Sequence, residues 1–132
     1  MEVHRLNYLD IVETIGKPYK LESNPPYTFN CWSLIHYLQP HAPSFEPEKL
    51  KEYIEIFNDQ PEKLEDNQRW VEVDEIKEGD VLLLGKNNYY THAGIFLYGN
   101  KMLHAKDKAG VVIESLNMVK LRYKNIKAYR WL

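Results

Sequence analysis

The hydrophobic period of this chain changes once, near residue 70, and that change limits the folds open to it. Before it, apolar residues recur at helical spacing. Tyr8, Ile11, Val12 and Ile15 stand at i, i+3, i+4 and i+7, the stripe of a short helix that Gly16 and Pro18 stop. Cys31, Leu34, Ile35 and Leu38 share one face of a second helix, with Asn30 as its N-cap and Pro40 as its end. A third is striped by Leu50, Tyr53, Ile54 and Phe57, opened at Glu46 and Pro47 and closed by Pro61. Residues 17–27 carry three prolines and read as an extended loop, and residues 60–69 as a polar surface connection. From Trp70 the period is two, with strands expected at 70–73, 81–84, 91–98, 101–106, 111–116 and 127–131. Turns fall at 78–80, 99–100 and 109–110. Helices followed by consecutive strands argue for an α+β fold, N-terminal helices packed on an antiparallel sheet of about five to six strands.

At 132 residues, with no internal repeat or linker, residues 1–132 are expected to form one domain. Seventeen basic against nineteen acidic residues, and no basic run, exclude an electrostatic footprint for nucleic acid. The single cysteine cannot close an internal disulfide. The longest aliphatic run, residues 81–84, is far too short to span a bilayer, so no membrane insertion is expected. The first thirty residues carry charges throughout and lack an apolar signal core, which implies synthesis in the cytoplasm without an export signal. Gly85-Lys86 lacks the upstream glycine and the following Ser/Thr of a phosphate-binding loop, and no cofactor is expected. The ten tyrosines and three tryptophans suit a packed core and rim, with several available to line a groove.

A lone thiol with distant histidines is the pattern of a nucleophile and its base. Cys31 opens a helix, where the positive dipole end and free N–H groups lower a thiol pKa and can hold an oxyanion. The competing reading is a small buried hydrophobe. His92 and His104 stand near the two ends of one hairpin. With a two-residue turn at Gly99-Asn100 they would point to opposite faces. With Tyr98, Gly99 and Asn100 as a three-residue loop, Leu97 faces Lys101 and His104 lies opposite Gly94. His92 is then a diagonal neighbour on the same face, roughly 7–8 Å away by backbone, with Gly94 leaving the space between them open. A cooperating pair therefore requires a three-residue loop with a left-handed glycine or asparagine. Cys31, His92 and His104 could alternatively be three metal ligands, although no fourth ligand and no close CxxC or HxxxH spacing is present. His4, His36 and His41, and the carboxylates Glu46, Glu48, Glu52 and Glu55, read as solvated groups.

Four segments in order resemble the NlpC family of cell-wall cysteine peptidases, which have a papain-like fold. Residues 15–19 (I-G-K-P-Y) are similar to its G-x-P-Y segment and residues 29–35 (F-N-C-W-S-L-I) to its nucleophile segment, commonly D-C-S-G-L-V. Residues 76–82 (I-K-E-G-D-V-L) resemble its L-x-P-G-D-L segment, and residues 92–105 (H-A-G-I-F-L-Y-G-N-K-M-L-H-A) its H-V-G-I-Y-L-G-x-G-K-x-I-H-A hairpin. Trp32 after the cysteine, residues 111–115 (V-V-I-E-S) and the ending Tyr129-Arg130-Trp131 look like the phage-tail branch. Tail enzymes reach the envelope on a virion, which would carry a wall-directed enzyme there without its own signal.

The resemblance implies Cys31 as nucleophile, His92 as general base and then acid, and His104 as the polar third residue. It places Tyr19, Asn30 and Trp32 around the thiol as substrate-binding positions. Asn30 stands where the family usually has aspartate, and Ser33 where it has glycine. The implied activity is a cysteine endopeptidase cutting stem or cross-link peptides of peptidoglycan, with phage tail proteins as partners. The alternatives are a structural tail-tip protein that retains the fold, and an amidase or acyltransferase using the same Cys-His pair.

Overall fold

A computed structural model of the chain describes residues 6–40, 58–59 and 70–131. Helices α1 (Tyr8–Thr14) and α2 (Cys31–Leu38) precede strands β1 (Trp70–Val73), β2 (Val81–Lys86), β3 (Tyr89–Leu97), β4 (Lys101–Lys106) and β5 (Gly110–Ser115). Helix α3 (Leu116–Arg122) and strand β6 (Asn125–Trp131) follow. The six strands form one antiparallel sheet in the order β1-β6-β2-β3-β4-β5. The α+β architecture and all six strands match the expectation from periodicity. The helix expected over 46–57 and the connection at 60–69 lie outside the described residues.

Alternation along the strands gives the sheet two apolar faces. Val81, Leu83, Ala93, Ile95, Leu97, Leu103, Ala105 and Val111 pack against α1 and α2 through Ile11, Cys31, Leu34, Ile35 and Leu38. Leu82, Leu84, Met102 and Ala128 form the other face, covered by Leu116 and Val119 of α3. That helix was not apparent in the sequence. It has under two turns and buries only those two residues, too short a stretch to show a period. Leu116, expected to end a strand, begins the helix instead.

Helix α1 occupies the expected residues but turns a different face inward. Ile11 and Thr14 are buried, whereas Tyr8, Val12 and Ile15 are 49%, 63% and 44% exposed. The Thr14 hydroxyl donates to the Ile11 carbonyl at 2.7 Å, which lets a polar side chain sit in the contact. Gly16, with φ +86°, then turns the chain onto the open edge of β5. Gly16 N–H donates to the Val111 carbonyl and Val111 N–H to the Lys17 carbonyl, both at 2.9 Å. A Cβ at Gly110 would collide with the Lys17 carbonyl oxygen, so that approach needs glycine.

Asp80 and Arg130 tie the entrance of β2 to β6. Arg130 Nε and Nη2 each donate to one oxygen of the Asp80 carboxylate at 2.8 Å, and Lys77 N–H adds a bond at 2.7 Å. Asp80 is 2% exposed and Arg130 34%. Arg130→Ala leaves a buried carboxylate without its cation, and urea unfolding should show a loss of roughly 3 kcal/mol. A loss below about 0.5 kcal/mol would put the pair among ordinary surface contacts.

Candidate active site

Helix α2 begins at Cys31 because residue 30 supplies a complete cap. Asn30 Oδ1 accepts from Trp32 N–H at 3.0 Å and Ser33 N–H at 2.8 Å, while Asn30 N–H donates to Ser33 Oγ at 2.9 Å. This is a reciprocal capping box, and Ser33 is the residue that closes it. Asn30 Nδ2 donates to the Leu21 carbonyl at 2.9 Å, a bond that an aspartate could not make. The Asn30 side chain is 1% exposed and committed within the protein, and Trp32, 3% exposed, lies in the core beside Cys31. Both adjoin Cys31 in the chain and stand there as buried supports of the helix start. Tyr19 reaches the same region by another route. Lys20 N–H donates to the Phe29 carbonyl and Phe29 N–H to the Pro18 carbonyl, both at 3.1 Å, pinning Tyr19 alongside the segment that leads into Cys31.

The hairpin carries the imidazoles. Gly99 and Asn100 have φ of +77° and +57°, and Leu97 pairs with Lys101, the three-residue loop that a cooperating pair requires. His92 Nε2 lies 2.7 Å from His104 Nδ1, with the rings edge to face at 67°. The gap beside Gly94 is not open. A Cβ there would meet Met102 Sδ at 2.6 Å, so the glycine makes room for the methionine. A second device precedes His92. The β2–β3 turn at Asn87 and Asn88 has both residues left-handed (φ +53° and +61°), as a two-residue hairpin demands. Pairing then runs Lys86–Tyr89 and Gly85–Tyr90 but Leu84–His92, so Thr91 is an extra residue. This bulge puts His92 on the face of Leu84 and α3, where its ring stacks on Tyr123 at 5.7 Å.

The β3–β4 ladder ends at Ile95–Leu103, although β3 reaches back to Tyr89 and β4 on to Lys106. Ala93, beyond the last pair and next to His92, turns its N–H on the Cys31 sulfur together with the N–H groups of Cys31 and Trp32. The thiol thus meets the backbone of β3 one residue from His92, and Tyr123, on which His92 stacks, also lies near the sulfur. The thiol is nevertheless not acidified, contrary to what a helix start alone leads one to expect. Burial outweighs the three N–H groups and pushes it up to about 11. Burial likewise lowers His92 to about 3, helped by His104, Lys106 and Arg122, and lowers His104 against the pull of Glu114. The resting pair is a neutral thiol and neutral imidazoles.

Residues that sequence reasoning passed over complete the site. Glu114 Oε1 lies 2.8 Å from His104 Nε2 and accepts from Lys106 Nζ at 3.1 Å. Arg122 Nη2 donates to both Glu114 oxygens at 3.0 and 2.9 Å. Burial disfavours the Glu114 charge, but the bonds from His104, Arg122 and Lys106 prevail and hold it down to about 2. Glu114 and His104 lie two residues apart on one face of neighbouring strands, a signal visible once the β4–β5 register is known. Arg122 and Tyr123 come from α3 and its end, which no period announced. An open cavity of about 760 Å³ beside Tyr123 is lined by Lys86, Arg122 and Lys124 among others.

The alternative of three metal ligands does not fit this geometry. The two imidazole nitrogens face each other at hydrogen-bond distance, leaving no room for a cation between them. Among the described residues no group of three His, Cys, Asp or Glu could hold a metal ion. Nor is any described helix long and apolar enough to cross a membrane. His36 is half-buried on α2, and His4 and His41 lie outside the described residues.

The profile of the NlpC/P60 family matches residues 16–130. The fold is similar to the NlpC/p60 domain of the peptidoglycan hydrolase SagA, with 19% identity, a TM-score of 0.58, and coverage of 91% of this chain and 92% of that one. It is also similar to NlpC1 from Trichomonas vaginalis (16%, 0.62), covering 92% of this chain and 41% of that one. A third likeness, to a lipoprotein-like NLP/P60 family protein from Staphylococcus aureus (19%, 0.56), covers 91% of this chain and 39% of that one. The chain therefore spans about two fifths of the length of the latter two. No match was found among the curated proteins.

The neutral imidazoles have a consequence for stability. The unfolded chain takes up their protons near pH 6.5, whereas folded His92 stays neutral down to about 3. The His92 contribution is present above 6.5 and is lost as pH falls towards 3, by about 1.4 kcal/mol per pH unit, and His104, also lowered by burial, adds in the same direction. Urea midpoints should decline from pH 7 to pH 5, less steeply in His92→Gln. A flat profile over that range would contradict the buried neutral pair.

Proposed function

Because the chain belongs to the NlpC/P60 family, we propose that it is a cysteine endopeptidase cutting stem or cross-link peptides of bacterial peptidoglycan. The observation that carries this reading is the 2.7 Å imidazole pair at the end of β3 whose next backbone N–H holds the Cys31 sulfur. The similarity in fold to a peptidoglycan hydrolase domain supports the substrate class. So do Lys86 and Lys124 around the cavity beside Tyr123, since peptidoglycan stems carry carboxylates.

In this proposal His92 Nδ1 removes the Cys31 proton as the sulfur attacks the peptide carbonyl. Concerted transfer matters here, because no thiolate stands ready in the buried resting site. The Cys31 N–H at the first turn of α2, turned on its own sulfur at rest, passes to the tetrahedral oxyanion as attack proceeds. His92 then delivers its proton to the leaving amine and activates the water that releases the acyl-enzyme. His104 fixes the ring of His92, and Tyr19 borders the thiol. Residues 1–132 act as one domain in this reading. The finer placement, carriage on a phage tail with tail proteins as partners, is supported by Trp32, residues 111–115 and residues 129–131. Mass spectrometry of purified virions tests it, and absence of the chain from them would rule it out.

Purified protein incubated with peptidoglycan should release new peptide amines, and Cys31→Ala should abolish this while melting like the parent. Release of whole stem peptides with a new N-terminal amine, leaving a carboxylate on the sugar, would instead reveal an amidase, and no release by the parent would favour a structural role. Because the base must be neutral, the acid limb of kcat/KM should lie well below the 6.5 of a free imidazole. A limb at or above 6.5 would remove His92 from that role.

A further inference from the structure

We propose that Glu114, clamped by Arg122 and Lys106, is a positioning residue that sets the order of protons along the imidazole pair and so makes Nδ1 of His92 the base. The inference rests on the reading of Cys31 and His92 as nucleophile and base, but its own observations are independent of turnover. An ionised carboxylate can only accept hydrogen bonds. Glu114 is kept in that form by Arg122 on both oxygens and Lys106 on one. The His104 nitrogen 2.8 Å away must then be the protonated one, Nε2–H. A neutral His104 consequently has its lone pair on Nδ1, which faces His92 Nε2 at 2.7 Å. His92 therefore donates from Nε2 and carries its own lone pair on Nδ1, the nitrogen left for the thiol proton. Reversing the order would set the His104 Nε2 lone pair against a carboxylate, two acceptors in contact on a ring only 1% exposed.

The charges around the pair separate this role from simple neutralisation of an imidazolium. The groups facing His104 are His92 from β3, Lys106 from its own strand, Glu114 from β5 and Arg122 from α3, with Tyr123 stacked on His92. Two cations oppose one carboxylate, so the cluster disfavours a positive His92. What Glu114 supplies is direction: a fixed acceptor at the far end of a two-ring line, held rigidly because its other lone pairs are occupied. The bulge at Thr91 and the three-residue loop at 98–100 set where the rings stand, and Glu114 sets which nitrogen of each carries hydrogen.

The test is ring 15N spectroscopy of the histidine-labelled full chain near pH 7.5, on the parent, Glu114→Gln, Glu114→Asp and Arg122→Ala. The parent and Glu114→Asp should show protonated Nε2 and unprotonated Nδ1 at both His92 and His104. Glu114→Gln, whose amide can donate as well as accept, should show a mixture of tautomers, with kcat on peptidoglycan down about 10–100-fold and KM within about twofold. Arg122→Ala, at a side chain 40% exposed, loosens the clamp without touching either ring and should blur the tautomers in the same direction. It serves also if Glu114→Gln does not fold. Parent-like tautomers in both Glu114→Gln and Arg122→Ala, or a loss expressed in KM alone, would overturn the proposal. A parent that cleaves no peptidoglycan yet shows the single tautomer order lost in Glu114→Gln would sink the peptidase reading and leave the positioning role standing.

Discussion

Everything at the site hangs on one register, that of β3 against β4. The loop of Tyr98, Gly99 and Asn100 uses two left-handed residues to pair Leu97 with Lys101. That choice of three loop residues over two puts His92 and His104 on the same face of the sheet, and a slip of one would send them to opposite faces. The same register lets Met102 fill the space beside Gly94, which packs the face beneath the rings. The ladder's early end at Ile95–Leu103 then frees Ala93 to meet the Cys31 sulfur. Turn chemistry, strand pairing and the approach of α2 all converge on a few residues.

Desolvation sets the electrical character of that convergence. Three N–H groups aimed at a sulfur would favour a thiolate in an open site, yet burial prevails and the thiol is pushed up to about 11. The imidazoles respond to the same dry surroundings by staying neutral, His92 down to about 3. The full negative charge on Glu114 survives because it has three cationic or N–H partners and sits nearer the surface, 20% exposed. On the proposed reading, such a site suits proton transfer that accompanies attack, with no thiolate standing ready at rest.

The departures of this chain from the familiar motif become intelligible at the level of caps. Asn30 and Ser33 form a reciprocal box around the first turn of α2, and the Asn30 amide also ties down Leu21. An aspartate–glycine pair in those positions would lose the Ser33 contact and the donor to Leu21. The buried Asp80–Arg130 pair plays a comparable part on the sheet, joining the G-D segment to the Y-R-W ending.

From the sequence alone, period and punctuation determined the elements. Alternation after Trp70 marked six strands, Asn30 and Pro40 bounded α2, and the parity of His92 and His104 required the loop that is found. The ordered motifs determined the family. Signals of that kind are local, resting on spacing, caps and turns within a few residues. Other features were decided only when distant segments met. The inward face of α1 was settled by what it packs against, and α3 was too short to declare a period. The carboxylate behind His104 became visible only through the β4–β5 register and the return of Arg122 over it. The pKa of Cys31 is the plainest case: a helix start reads the same in any sequence, but its burial under Tyr19, Trp32 and the end of β3 belongs to the tertiary structure. Desolvation is a property of the whole surround, so no stretch of residues states it in advance.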